Sequence, residues 1–441
     1  MASFDLVWGV ESQTDNVSDS QTAAQISSEI DAQVAQNSTD AQVVIDHAET
    51  ADQVTQGIGQ LQTAKDFVES QVAQGGMSEQ TAQLAQIHVE SICRFMRMPI
   101  TSPVIPAAEN FGSSGSKRQS SVLAVEGISD RLVKAWEALK AFFRRLYEGA
   151  KNAFSKVLNT GLLLEHKLEA LEKKLEDLKG SPGKEQIDIG DSLTLLGVAT
   201  FKDAVDPSKG VTVLIKSMDN SAKMLENVGN AVQTLIDSRD LTSPPKSITN
   251  DALKSELTSV YGVKKWKNEN KALVGASEPL PGSRVIKINL SGMKDNDGIA
   301  SFTHEIVRED IKGTKSKINP LTKDEMRDLL ELAREMFDNM KNLKETEKKF
   351  KAMSDGVEKT IDGIITIAKN GPNSGATKSE KTDVRKSIDS GADAAKQLFS
   401  NIASLSLKIC TLLPTMTGEV IRGACGIVAK SMSTYSEKPA K

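Results

Sequence analysis

Apolar residues return at intervals of three and four along most of this chain, which predicts helices far more often than strands. Between residues 18 and 96 the stripe is thin. Ile26, Ile30 and Val34, then Val54, Ile58 and Leu61, are set in Ala and Gln, and Gly75-Gly76 interrupts them. Helices of that kind bury little area without a partner. Residues 97–121 carry Pro99, Pro103 and Pro106, then a Gly/Ser run from Gly112 to Ser116. Proline removes a backbone donor and Gly/Ser tracts stay flexible, so a linker open to proteases is expected through residue 126. Ser129 is placed to cap the next helix, whose stripe is Leu132, Trp136, Leu139, Phe143, Leu146, Ala150, Phe154 and Val157. After Gly161 a leucine series (Leu164, Leu168, Leu171, Leu175, Leu178) predicts a short coiled-coil hairpin over 127–180, stopped by Gly180-Ser181-Pro182-Gly183.

Residues 184–310 read as mixed α/β. A helix is expected over 217–236, whereas RVIKINL at 284–290 is β-branched and alternating, as a strand is. Asp295-Asn296-Asp297-Gly298 predicts a turn, with 300–307 pairing back across it. From Thr322, with Glu325 as its capping-box partner, helices resume to about 351, then over 357–369, 379–413 and 417–432. Pro372 and Pro414 punctuate them, and four antiparallel helices would make a C-terminal bundle over 320–435. The expected fold class is mainly α: a helical N-terminal segment over 1–96, a linker over 97–126, and a helical body with a small β insertion and that bundle. The apolar tract 402–429 contains Lys408, Pro414, Glu419 and Arg422, which argues against a membrane span.

Charge sharpens the division at residue 126. Residues 1–126 hold five basic and sixteen acidic residues, a formal charge of −11, while the remainder holds 50 basic and 43 acidic, or +7. Sixteen glutamines lie before Glu126, and only Gln186, Gln233 and Gln397 after it. Two stretches of different character meet at one point. The three cysteines form no disulfide framework and suit a reducing compartment. The opening MASFDLVWGVESQTD lacks the basic region and long apolar core of a secretory signal, though its Leu6–Trp8 plug could dock to a partner.

Candidate chemistry is sparse. His304-Glu305-Ile306-Val307-Arg308 begins like a zinc-protease helix, but Arg308 stands where the second imidazole is needed. Met293 occupies the first ligand position of what would be a calcium loop at 295–298. No phosphate-cradling loop and no nucleophile elbow is present. These residues point to a non-enzymatic protein with no cofactor, metal or small-molecule substrate. The 132–157 helix has a basic side, and Lys140, Arg144, Arg145 and Lys151 are candidate contacts to DNA or another acidic surface through phosphate alone. The same residues would also serve as the solvated face of a core helix.

At the junction stands Ala124-Val125-Glu126, followed by Gly127. Large tailed bacteriophages use a prohead protease that cuts after glutamate, and the sites of the phiKZ-like giant phages resemble small residue–x–Glu. The whole layout resembles the internal head, or inner-body, proteins of those phages: an acidic propeptide, a cleavage site, then a helix rich in Lys, Trp and Phe. That resemblance covers about the first 180 residues. It implies a structural protein made in the host cytoplasm, cut by the prohead protease after Glu126, and held inside the phage head beside DNA and other capsid or inner-body proteins. Ala107-Ala108-Glu109 is the second-ranked site, and Gly9-Val10-Glu11 a third that would release the N-terminal plug. Two other readings stay open: a membrane-active helical effector, and a scaffolding or coiled-coil adaptor that is never processed.

Overall fold

In the computed structural model the most apolar tract of the chain is one unbroken helix, although Pro414 lies inside it. The structure describes residues 22–435 apart from 101–102, 113, 184, 217, 239–249, 270–271, 292–300, 342 and 371–381. The Leu6–Trp8 plug, the Gly9–Glu11 site and the 295–298 turn therefore lie outside the described residues.

Ten helices among those residues are α1 (Ala23–Ala73), α2 (Glu79–Phe95), α3 (Ser114–Asp177), α4 (Ser192–Leu196), α5 (Val205–Lys216), α6 (Met218–Ser238), α7 (Asn250–Tyr261), α8 (Lys323–Lys341), α9 (Leu343–Asn370) and α10 (Thr382–Met432). From Ala395 to Met432, α10 is buried on every side, touched by α1, α3, α4, α5, α6, α8 and strand β5 (Ser301–Arg308). Proline within a helix forfeits a hydrogen bond and costs about 3 kcal/mol. Thr411, Leu412, Leu413, Thr415, Met416 and Thr417 are all buried around it. Covering Leu412, Leu413 and Met416 alone, at about 1.5–3 kcal/mol each for a large apolar side chain, outweighs the break. The expected division at Pro414 is thus corrected: three helices, not four, occupy this part of the chain, and α9 packs on α3 and α6, so no separate C-terminal bundle forms. By length and composition alone Ala395–Met432 could cross a membrane, but 89% of that window is buried inside the fold.

The N-terminal segment is the second correction. Thr22 and Gln25 form a capping box at the start of α1, with bonds of 2.7 and 3.2 Å. The thin stripe expected to stand apart is buried: Ile26, Ile30, Val54, Ile58 and Leu61 are each 5% exposed or less, against α3 and α10. Residues 114–126, expected as linker, are the first turns of α3. Their Gly/Ser/Gln composition does not favour a free helix, but Ser121, Ala124 and Ile128 are covered by the leader, and the Met77 amide donates to Ser121 Oγ at 2.8 Å. Ser129 consequently lies inside the helix and caps nothing. Helix α3 also runs straight past Gly161 to Asp177, so the expected hairpin is one long helix.

The β insertion is where it was expected. Strands β2 (Val263–Glu269), β3 (Ala272–Ser277), β4 (Arg284–Ser291) and β5 form an antiparallel sheet in that order, with Ile288 opposite His304. A two-residue pair, β1 (Ile187–Asp188) with β6 (Lys317–Ile318), stands separately. The sheet is pinned to α10 by Arg284 at the start of β4, which donates to Glu419 at 3.1 Å through one nitrogen and to the Pro281 carbonyl at 2.8 Å. Both side chains are 6% exposed. The Thr322–Glu325 capping box opens α8 as the sequence predicts, with bonds of 3.0 and 3.3 Å.

If α1 is part of the core, Leu61→Ala in the full chain lowers unfolding free energy by about 2–5 kcal/mol, the usual cost of a buried Leu→Ala change. Urea unfolding followed by circular dichroism checks this. An unchanged midpoint would show that α1 is not held in the core.

Candidate functional site

The junction is built from three segments. Ala124 is fully buried, Val125 half-buried and Glu126 exposed, all on α3. Gly127 lies against the incoming chain so closely that a Cβ there would sit 2.3 Å from the Val104 carbonyl oxygen, so a larger residue would push the 103–107 segment away. That segment is held by further bonds. Arg131 donates to the Pro99 carbonyl at 3.2 Å, the Ile105 amide to Gln86 at 2.8 Å, and Ser120 Oγ to the Asn110 carbonyl at 3.1 Å. The second-ranked site is presented differently: Ala107 is exposed at the end of an irregular stretch, and Glu109 lies in the 3₁₀ turn Ala108–Phe111. A cleft that binds extended backbone can reach Ala107 in the folded chain, whereas Glu126 requires α3 to open.

The four candidate DNA contacts are not equivalent. Lys140 sits 2.6 Å from both carboxylate oxygens of Asp362, and Arg144 binds Glu358 by two bonds of 3.1 and 2.7 Å. Both therefore tie α3 to α9. Arg145 is exposed, its guanidinium 5.5 Å from the centre of the Phe142 ring, and Lys151 is half-buried. The apolar stripe of the same helix, Leu132, Trp136, Leu139, Phe143 and Leu146, is core.

Sequence reasoning missed the contacts across the junction. Lys167 on α3 lies 2.7 Å from Glu29 of α1, Arg422 on α10 lies 3.0 Å from Asp31, and Lys408 and Ser404 on α10 both donate to Asp52. The side chains of Lys167 and Lys408 are 6% and 10% exposed. Each of these cations belongs to the body and each carboxylate to the leader. The only signal in the sequence was a Lys and an Arg interrupting an apolar tract. Beside Asp52 is a cavity of about 100 Å³ lined by Thr55, Gln56, Thr303, His304, Gln397 and Asn401. Both nitrogens of His304 are enclosed without a hydrogen-bond partner, and its ring stacks on Phe302 at 5.6 Å. His304 lies on a strand, with Asp52 across the cavity. No group of three or more His, Cys, Asp or Glu able to hold a metal occurs among the described residues.

A family model described as phiKZ-like phage internal head proteins matches residues 23–413. The chain belongs to that family. The matched stretch spans α1, the junction and most of α10, so leader and body both fall within what the family covers. No curated protein and no solved structure matches the chain. Membership of the internal head proteins gives it a structural role in the head of a bacteriophage.

The enclosed imidazole of this head protein gives it a defined acid response. Burial pushes the His304 pKa down to about 4, against an upward pull from Asp52 that the weaker effect of the Lys408 charge partly offsets. Above pH 6.5 both folded and unfolded chains hold a neutral ring, and the group has no effect. As pH falls from 6.5 toward 4 the unfolded chain takes up a proton that the folded chain refuses, so stability is lost through that window and levels off below it. The loss from this group is about 2 kcal/mol by pH 5. Urea unfolding at pH 7 and pH 5 should show His304→Gln losing less stability than the parent by about that amount. Equal losses would show that His304 is protonated in the folded protein.

Proposed function

We propose that this internal head protein is made as a precursor whose acidic leader is cut from the body by the prohead protease after Glu126, leaving a mature part that shares the head with DNA. The observation that carries this reading is the coincidence of the Ala124-Val125-Glu126 motif with the change from −11 to +7. Loss of the leader converts a protein of net charge −4 into one that DNA attracts instead of repelling. Because Glu126 is helical in the folded chain, the protease acts before α3 closes or on a junction that has opened. Prohead protease, neighbouring capsid or inner-body proteins, and packaged DNA are the partners of this reading.

Sequencing the N-terminus of protein taken from heads tests it, with Gly127 expected. Asn110 would move the cut to Glu109, and intact Met1 alone would overturn processing. Glu126→Gln should abolish the Gly127 terminus, because the amide keeps the shape of the side chain and removes its charge.

For DNA, the body freed of its leader should bind duplex more tightly than the precursor, without sequence preference, and weaken as salt rises through counterion release. Arg145→Gln and Lys151→Gln should reduce the salt slope by up to about one each, the most that a lost phosphate contact removes. Lys140 and Arg144 should matter less, being paired with α9. Titrations at two salt concentrations check this, and equal affinity of precursor and leader-free body would contradict it.

A further inference from the structure

Cutting the backbone at the junction removes none of the contacts that seat α1. On one side of the cut lie Glu29, Asp31 and Asp52. On the other lie Lys167, Arg422 and Lys408, paired with them one to one. Around these pairs Ile26, Ile30, Val54, Ile58 and Leu61 are enclosed, and α1 touches both α3 and α10. A buried cation that loses its carboxylate cannot be neutralised cheaply, so each pair opposes separation more strongly than its own net stabilisation would suggest. The thin stripe of α1 gives the released helix little to fold around, which opposes separation again.

We infer that the groove formed by α3 and α10 is a receptor for the acidic helix α1, and that it keeps residues 22–126 as a non-covalent subunit after the chain is cut. The leader then behaves as a bound polyanionic peptide, matched to the groove by a carboxylate opposite each of Lys167, Lys408 and Arg422. Severing the chain and losing the leader become separate events, and the cations at Lys167 and Lys408 stay covered until the second. The biological setting rests on the reading that the chain is processed. The groove does not, because it is present in the intact chain.

The test uses the full-length chain with a recognition sequence for a site-specific protease inserted at Ala107, which is exposed and non-helical. After complete cutting, gel filtration at moderate salt should give one peak containing both pieces. Separate elution of the leader piece would overturn the inference. Asp52→Asn combined with Asp31→Asn should weaken retention by at least about a hundredfold, measured by dilution and analytical ultracentrifugation. Retention unchanged by both substitutions would overturn the acidic-helix receptor, leaving an apolar seat alone. Since Asp52→Asn also threatens folding, Lys408→Met is added to remove the unpaired cation, and this pair of changes should regain retention lost by Asp52→Asn. Failure to regain it would overturn the role given to the pair. Retention in this test alongside an intact Met1 in heads would sink processing alone. A Gly127 terminus in heads alongside separation in this test would sink the inference alone.

Discussion

A helix that is apolar on all faces must be covered on all faces, and α10 imposes that requirement on the rest of this protein. From Ala395 to Met432 it presents no solvent side, so every neighbouring element is arranged as part of its cover. Its polar residues are accommodated within that cover. Ser406, Thr411 and Thr417 donate to carbonyls one turn back, at 2.8–2.9 Å, and Ser406 also meets the Tyr261 hydroxyl at 2.6 Å. Its charged residues are answered from outside the helix: Glu419 by Arg284 of the sheet, Lys408 and Arg422 by the leader.

That last pairing links the fold to the role of a head protein. The leader is acidic in sum, and three of its carboxylates do a local job, since they neutralise cations that the body holds partly or wholly out of water. Net charge and local pairing therefore act together. The second determines where the leader sits, and under the proposed processing the first would keep the uncut chain from attracting DNA. The ion pairs between α3 and α9 use the same chemistry inside the body, which is why Lys140 and Arg144 are less available to phosphate than a helical wheel suggests.

Elements whose physics is local were legible from the sequence: the β4–β5 hairpin from its alternating β-branched residues, and the α8 start from Thr322 and Glu325. Where tertiary cover decides, reading residue by residue failed. Ser114–Glu126 looks like a linker because its own residues favour no helix, and it is helical because Met77 and the leader bury one of its faces. Pro414 looks like a break because the lost hydrogen bond is visible in the sequence, whereas the neighbours that outweigh it come from distant parts of the chain. The junction was found through charge and motif. Its partners Val104 and Pro99 were not, since nothing local says that they return to α3. His304 was noticed for a zinc motif that it lacks, while its enclosure against Phe302 and Asp52 emerged only once β5 was placed beside α10.

The central claim is that leader and body share one core organised by α10. Hydrogen exchange of the intact chain, followed by mass spectrometry, tests it most directly, because exchange resolves the opening free energy of each segment. Amides of 54–68 in α1 should exchange as slowly as those of 400–430 in α10, and both should collapse together when denaturant reaches the global transition. Fast exchange of 54–68 while 400–430 remains protected would show a leader that opens by itself, and would contradict the shared core.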